Sequence, residues 1–396
     1  MTEGQDEREA AFQRALKLQR ARRHAEAIAL FEPLTEPALT LKVAVGLGIS
    51  LLEVGRFAEA ERWLGAAAAA RPNEPEVRRL MGNLYAEQGR TAEAEAEYRA
   101  ALSLRPDFPQ GQMALGNLLL SLGRYAEGWP LIEPRVALSP ETIPPINVAF
   151  PEWRGEPLEG RSILVWYEQG LGDQIQMCRF AQSLKARGAA HVALGCRPQL
   201  VDLIATATGV DEVVPVPLGQ PVTVKRYDFW SRYFSLPAPL GITLETLPKA
   251  PYLSAPADRR ARWSGFSGVG LAWRASPTGF NADHKNLPDR FAEQILVQGA
   301  VSLHPEDTGV GDFADTAAIM ERLDLVISID TSVAHLAGAM GRPVWTLLPR
   351  VHCDWRWLRE RTDSPWYPSM RLYRQEQPGD WEPVVSAVLA DLAARA

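Results

Sequence analysis

The sequence predicts an α-helical solenoid followed by an α/β module made of two parallel-sheet halves. Two observations predict this fold class: a repeat of 34 residues in the first third, and alternating strand-like and helix-like segments in the rest. A length of 396 residues predicts two or three domains, at roughly 100–200 residues each. We place the solenoid at 1–140, a proline-rich linker at 141–160, and the two halves at 161–255 and 256–396.

The repeat is clearest in three Gly-Arg-x-Ala-Glu segments, which begin at Gly55, Gly89 and Gly123. Units of this length are helix pairs that cannot bury their apolar faces alone, so three or more must stack. The period, together with the small and aromatic residues of 81–106, resembles the tetratricopeptide repeat. About four copies fit into the first 140 residues.

The solenoid has two interpretations. Asn83 and Asn117 lie one period apart on the first helices of their units, and side-chain amides can pair with the backbone of an extended peptide. The pair therefore predicts a peptide-binding groove that docks a protein. The alternative is a module for packing or dimerisation.

Beyond the linker, short apolar runs alternate with helical stretches. The predicted strands are 162–167, 191–196 and 212–215 in the first half and 269–273, 301–303, 325–329 and 344–348 in the second, with a helix over 173–187. This alternation predicts two Rossmann-like parallel sheets with ligands at the carboxyl ends of their strands.

The turn after the first strand contains Gly170, Gly172 and Asp173. Its glycines would let the backbone approach a ligand, and the following helix would offer free N–H groups. A dinucleotide-binding fingerprint would need a third glycine where Ile175 stands, which argues against a dehydrogenase. Asp173 is either a catalytic group or a helix cap.

The turn after the strand 325–329 begins with Asp330, Thr331 and Ser332. The first N–H groups of the helix that follows suit a phosphate, whereas Asp330 suits a sugar hydroxyl. His335 lies one turn into this helix, where a histidine is either a structural hydrogen-bonding group or a catalyst.

A third turn places Arg274 after a strand, with Lys285 in the loop beyond it. Two such cations can neutralise a leaving phosphate, and solvated surface charge is the alternative. Further along the chain, Trp355 and Trp357 are candidates either for covering a nucleotide or for packing between the halves.

Residues 161–396 resemble the heptosyltransferase-type glycosyltransferases, which have the GT-B fold, through the segments 170–173, 285–288 and 330–337. The order of the parts is similar to that of protein O-GlcNAc transferases. The resemblance implies a nucleotide-sugar donor as substrate, no cofactor, inversion at the anomeric carbon, and Asp173 as the catalytic base. It implies donor binding by Lys285, Asp330, Thr331 and His335, to which the strand-end and helix-start arguments above add Arg274 and Ser332.

Composition excludes several other classes. No Asp-x-Asp occurs, so we expect no metal, and the three separated cysteines predict neither disulfides nor a zinc knuckle. A net charge of −6 argues against nucleic-acid binding. The charged start and the lack of long apolar runs predict a cytoplasmic protein without membrane insertion.

The sequence therefore predicts a hexosyl- or heptosyl-type glycosyltransferase that moves a sugar from a nucleotide-sugar to a protein docked by the repeats. A flagellin-like protein is one candidate acceptor. Two alternatives stay open: a repeat scaffold with an inactive transferase module, and a transferase of saccharides or lipid-linked glycans.

Overall fold

A computed structural model of the protein describes residues 3–35, 41–140, 143, 145–276 and 281–395. The chain divides into two compact units, residues 1–119 and 120–396. The domain boundaries placed at 140, 160 and 255 stay predictions. Within the described ranges, no helix is both long enough and apolar enough to cross a membrane.

The first unit is built from helices that follow the 34-residue period. Helices α1–α7 span Glu3–Arg20, His24–Phe31, Leu41–Glu53, Phe57–Ala70, Pro75–Glu87, Thr91–Leu104 and Pro109–Ser121. Gly55 and Gly89 have φ values of +77° and +81° in the turns before α4 and α6. This left-handed conformation favours glycine, which explains why the residue recurs at that position of the repeat.

A second periodic glycine sets how closely paired helices approach. A Cβ added to Gly48 would lie 2.6 Å from Leu64, and one added to Gly82 would lie 2.4 Å from Tyr98. Leu64 and Tyr98 are themselves one period apart, so the same small-against-large contact recurs in successive helix pairs. The residues that define the repeat in the sequence are therefore those that set its packing.

The second unit contains two parallel sheets. Strands β1–β9 span Ser162–Trp166, His191–Cys196, Glu212–Pro215, Phe229–Arg232, Val269–Ala272, Val301–Ser302, Leu325–Ile329, Val344–Leu348 and Met370–Arg374. The strand orders are β3-β2-β1-β4 and β6-β5-β7-β8-β9, and all neighbouring strands run parallel. Together with the helical repeats, these sheets confirm the predicted fold class.

Helices surround both sheets. Helices α8–α20 span Tyr125–Leu131, Arg135–Leu138, Leu171–Met177, Phe180–Ala186, Val201–Ile204, Pro237–Leu240, Ala257–Arg262, Ala282–Lys285, Asp289–Leu296, Pro305–Thr308, Phe313–Met320, Ser332–Ala339 and Glu382–Ala393. The second sheet buries Leu271, Ile327 and Leu347 in a core with Phe291 of α16 and Val385 of α20. This core holds in place the carboxyl ends of the strands, where the candidate site begins.

Three features of the α/β module differ from the sequence expectation. The helix expected over 173–187 is two helices, α10 and α11, which end and begin on either side of residues 178 and 179. Strands β4 and β9 were not expected. Both end in arginine, whereas β7 and β8 carry no charged residue and are buried along their whole length, as is typical of central parallel strands.

The segment 120–140 packs inside the second unit. The Arg135 guanidinium forms two hydrogen bonds to the Glu168 carboxylate, of 2.9 Å and 2.8 Å, and both side chains are buried. The backbone N–H of Phe234 donates to the same carboxylate, and the Trp366 indole donates to the Tyr125 hydroxyl at 2.7 Å. Because Glu168 follows β1, this segment supports the carboxyl end of the first sheet.

Candidate functional site

The first turns of α10 and α19 lie against each other. A Cβ on Gly172 would stand 2.8 Å from the His335 ring and 3.3 Å from the Ser332 Cα. Glycine is therefore required for this approach of two helix N-termini, one following β1 and the other following β7. The sequence indicated a close contact between Gly172 and a ligand, and the structure shows a close contact with the neighbouring helix.

Asp173 is the third residue of α10. Its Oδ2 accepts a 2.7 Å hydrogen bond from the backbone N–H of Gly170, the residue that caps this helix, and its Oδ1 pairs with Arg356. Burial raises the pKa of Asp173, the Arg356 charge opposes that rise, and the Asp354 charge adds to it. The carboxylate therefore has both a capping contact and an ion pair.

Arg356 comes from a short 3₁₀ turn, Trp355–Trp357, which Asp354 caps by accepting the backbone N–H of Arg356. The guanidinium is 6% exposed and also donates to Asp354 Oδ2 at 2.7 Å and to the Gln176 side-chain oxygen. Sequence reasoning missed this residue as part of the site. The motif of residues 354–357 was visible, but nothing in it identifies a partner 183 residues away.

Asp330 follows β7 and is largely buried, with a side chain that is 15% exposed. Burial raises its pKa to about 6, the Asp354 charge adds to the rise, and Lys285 is the strongest opposing influence. The structure thus brings Asp330 and Lys285 within electrostatic reach of each other. A carboxylate that titrates near neutral pH is typical of functional sites.

His335 lies 4.0 Å from Asp330, measured from Nε2 to Oδ1. Its Nδ1 shares a 2.8 Å hydrogen bond with the Tyr367 hydroxyl, and its ring stacks on Trp357. Burial holds the pKa of His335 well below its usual value, and nearby cations, led by Arg356, lower it further. The imidazole is therefore neutral at physiological pH.

Thr331 and Ser332 begin α19 next to Asp330. Thr331 makes no capping hydrogen bond, and its hydroxyl lies 3.2 Å from the Ser328 hydroxyl. The first N–H groups of α19 are therefore not capped by the Thr331 side chain. Such N–H groups at the positive end of a helix suit an anion.

The structure does not join Arg274 to this cluster. Its guanidinium stacks on Trp273 at 4.8 Å and lies 3.5 Å from Glu306, and both charged side chains are about half-exposed. Arg274 also lowers the pKa of the mostly buried His304, after the larger effect of burial. Its surroundings are those of a surface charge at the end of β5.

The two asparagines of the repeats differ from each other. Asn83 is half-buried, and its side-chain amide is hydrogen-bonded to the Tyr98 hydroxyl at 2.9 Å, whereas Asn117 is exposed on α7. Their role in binding a peptide stays a prediction. Over the described parts of the chain, no three His, Cys, Asp or Glu side chains are grouped so as to hold a metal ion.

Comparison with known proteins identifies the repeats directly. Residues 18–84 match a family model described as tetratricopeptide repeat, and residues 82–123 match one described as TPR repeat. The chain is also 26% identical over 317 residues to Protein FlbA of Caulobacter vibrioides, a match that covers 67% of this chain and 52% of FlbA. The chain thus spans about half the length of that curated relative.

Two solved structures resemble larger parts of the chain. A glycosyl transferase of family 9 from Veillonella parvula is 13% identical, covers 59% of this chain and 91% of its own, and has a TM-score of 0.42. A mutant of the O-GlcNAc transferase from Thermobaculum terrenum is 16% identical, covers 89% of this chain and 84% of its own, and has a TM-score of 0.37.

Proposed function

We propose that this chain is a metal-independent glycosyltransferase that moves a sugar from a nucleotide-sugar, with inversion, to a protein acceptor. One observation carries the proposal. Asp173 follows β1 of the first sheet and Asp330 follows β7 of the second, and both belong to one buried cluster. In this cluster Arg356 pairs with Asp173 and influences the pKa of Asp330. The cluster lies where two parallel sheets present their carboxyl ends, the usual ligand position in such sheets.

The proposed roles follow from the surroundings of each residue. The donor diphosphate lies against the start of α19 at Thr331 and Ser332, with Lys285 stabilising the leaving group. Asp330 accepts hydrogen bonds from the donor sugar. Asp173 removes the proton of the acceptor hydroxyl, a contribution typically worth 10²- to 10⁴-fold in rate.

The tetratricopeptide repeats support a protein as the acceptor. Stacked helix pairs form extended surfaces that commonly bind other proteins. We propose that residues of the first unit dock the acceptor, and that a flagellin-like protein is one candidate. The base, the sugar and the acceptor residue are open to direct screening.

A thermal-shift screen of the full chain against nucleotide-sugars tests the donor site. A ligand present at 100 times its Kd adds about 2.7 kcal/mol of stability, so a true donor raises the melting temperature. Asp330→Ala should weaken binding of the sugar-nucleotide but not that of the bare nucleotide, which makes no sugar contact with Asp330 and is relieved of its negative charge. If no nucleotide-sugar shifts the melting temperature or is hydrolysed, the proposed function is wrong.

Asp173→Ala separates catalysis from helix capping. A base role predicts near-normal donor affinity with turnover reduced by roughly 10²-fold or more, whereas a capping role predicts only a stability loss of about 0.5–2 kcal/mol. Asp312→Ala provides the matched control, because Asp312 caps α18 by accepting the N–H of Asp315 at 2.9 Å. Equal turnover in both variants would assign Asp173 to capping.

An inactive transferase module is the second candidate, and one observation favours it. Both oxygens of Asp173 already accept hydrogen bonds from protein groups, Gly170 and Arg356. A carboxylate has about four lone-pair sites, so an acceptor hydroxyl can still bind there. Donor binding without hydrolysis or transfer, across several donors and acceptors, would favour the scaffold.

A further inference from the structure

The side chain of Arg356 is almost fully enclosed and fully engaged. Its Nε donates to Gln176, Nη1 donates to Asp354 at 2.7 Å, and Nη2 donates to Asp173. Phe234 and Trp355 lie over the guanidinium, with ring centres 5.2 Å and 4.7 Å from Cζ. Since its donors already meet two carboxylates and an amide oxygen, Arg356 is not set up to receive a phosphate.

The charges around Asp173 make Arg356 its essential counter-ion. After burial, the largest influences on this carboxylate are the charges of Arg356, Asp354 and Glu168 and the hydrogen bond from the Gly170 N–H. Asp354 and Glu168 are negative and oppose ionisation of Asp173, and Glu168 is already matched by Arg135. A buried carboxylate that lacks a cation takes up a proton and can no longer accept one.

We infer that Arg356 is a positioning residue for the proposed base: it aims the Asp173 carboxylate and keeps it ionised so that it can accept the proton of the acceptor hydroxyl. This inference rests on the proposed function. Asp354 holds the guanidinium from the opposite side, through Nη1, and so fixes which nitrogen faces Asp173. The two parts of the chain, α10 and the 355–357 turn, thereby determine the orientation of one carboxylate.

The first test is the pH profile of turnover for Arg356→Gln and Arg356→Lys. Without the cation, Asp173 should bind its proton more tightly, so the acid limb of kcat/KM in Arg356→Gln should move up by one pH unit or more. Lysine restores the positive charge but not the planar guanidinium with its several donors. The acid limb of kcat/KM in Arg356→Lys should therefore stay near that of the wild type, while kcat falls by roughly tenfold or more.

Arg374→Gln is the matched control. Arg374 supports the same turn, donating to the Trp357 carbonyl at 2.6 Å and to the Cys353 sulfur, and it is not among the largest influences on the pKa of Asp173. Its loss should lower stability without moving the acid limb. If Arg356→Gln and Arg374→Gln give the same pH profile, Arg356 only stabilises the conformation of the 355–357 turn, and the inference is overturned.

A second measurement does not depend on activity. In Arg356→Gln, stability should fall more steeply than in the wild type as pH rises above about 4, because without the cation the native state holds the Asp173 proton still more tightly than the unfolded chain does. Adding Asp173→Asn should remove this excess and leave the fall in stability that Asp330 causes. A slope equal to that of the wild type overturns the inference even if the wild type proves inactive, whereas an inactive wild type with the expected excess slope overturns only the proposed function.

Discussion

Replacing Asp330 with asparagine should stabilise the protein above neutral pH. Burial raises the pKa of Asp330 from an ordinary 3.8 to about 6, with Asp354 adding to the rise against Lys285. A shift of about two units corresponds to about 3 kcal/mol at 1.36 kcal/mol per unit. The side chain is 15% exposed, so solvent screens little of this effect.

The sign of the pH dependence follows from proton linkage. Because the native pKa of Asp330 lies above the unfolded value, the native state binds the proton more tightly between about pH 4 and pH 6. The contribution of Asp330 to stability is therefore greatest below pH 4 and falls as pH rises to about 6. Asp330→Asn cannot lose stability in this way. The difference in unfolding free energy between this variant and the wild type should therefore grow from about pH 4 to about pH 6 and stay constant above that.

Urea unfolding at several pH values measures the effect. Eleven of the twelve tryptophans lie in residues 120–396, so tryptophan fluorescence follows the unit that contains Asp330. Asp324→Asn is the control, because Asp324 is exposed just before the same strand. A difference between Asp330→Asn and the wild type that does not vary with pH, or an Asp330→Asn variant less stable at pH 8, would refute the reasoning.

Three further predictions concern packing and metal. Arg135→Met should destabilise residues 120–396 by about 3–5 kcal/mol in urea, because it leaves the buried Glu168 without its cation, and Glu168→Gln added to it should recover part of the loss. Gly172→Ala should lower stability by about 1–3 kcal/mol through overpacking, whereas Gly65→Ala, with nothing within 4 Å, should be neutral or stabilising. Chelator should leave donor binding and turnover unchanged, and activity that magnesium restores after EDTA would contradict the metal-independent mechanism.

The parts of the fold visible in the sequence are those with a regular pattern. The glycines at 55 and 89 recur because a left-handed turn requires them, and the buried strand 325–329 is apolar apart from Ser328. Strand β9, which pairs with β8, was not predicted because Met370–Arg374 is only five residues long and has arginine at its second and last positions. Its position depends on a neighbouring strand, and a local pattern carries little information about such a partner.

The residues of the candidate site also fall into those that local sequence patterns reveal and those that they do not. Asp173, Asp330 and His335 stand at strand ends or helix starts, which are positions that local patterns reveal. Arg356 stands in a 3₁₀ turn, and its importance comes from the ion pair with Asp173, 183 residues earlier in the chain. A charge that is buried only after two distant segments meet leaves no periodic signal in the sequence.

If the proposed function holds, the raised pKa of Asp330 should also link donor binding to the uptake of a proton. Asp354, Lys285 and Arg356 already act on this carboxylate, and their combined effect with burial leaves its pKa at about 6. A diphosphate bound beside Ser332 would add negative charge and raise that pKa further. Binding above pH 6 should therefore take up a proton, and affinity should fall by up to roughly tenfold per pH unit across the window between the two pKa values. Calorimetric titration of a nucleoside diphosphate in buffers of different ionisation enthalpy measures the proton uptake, which should vanish in Asp330→Asn. Binding with no proton uptake by the wild type would mean that the phosphates lie away from Asp330 and that the start of α19 is not their site.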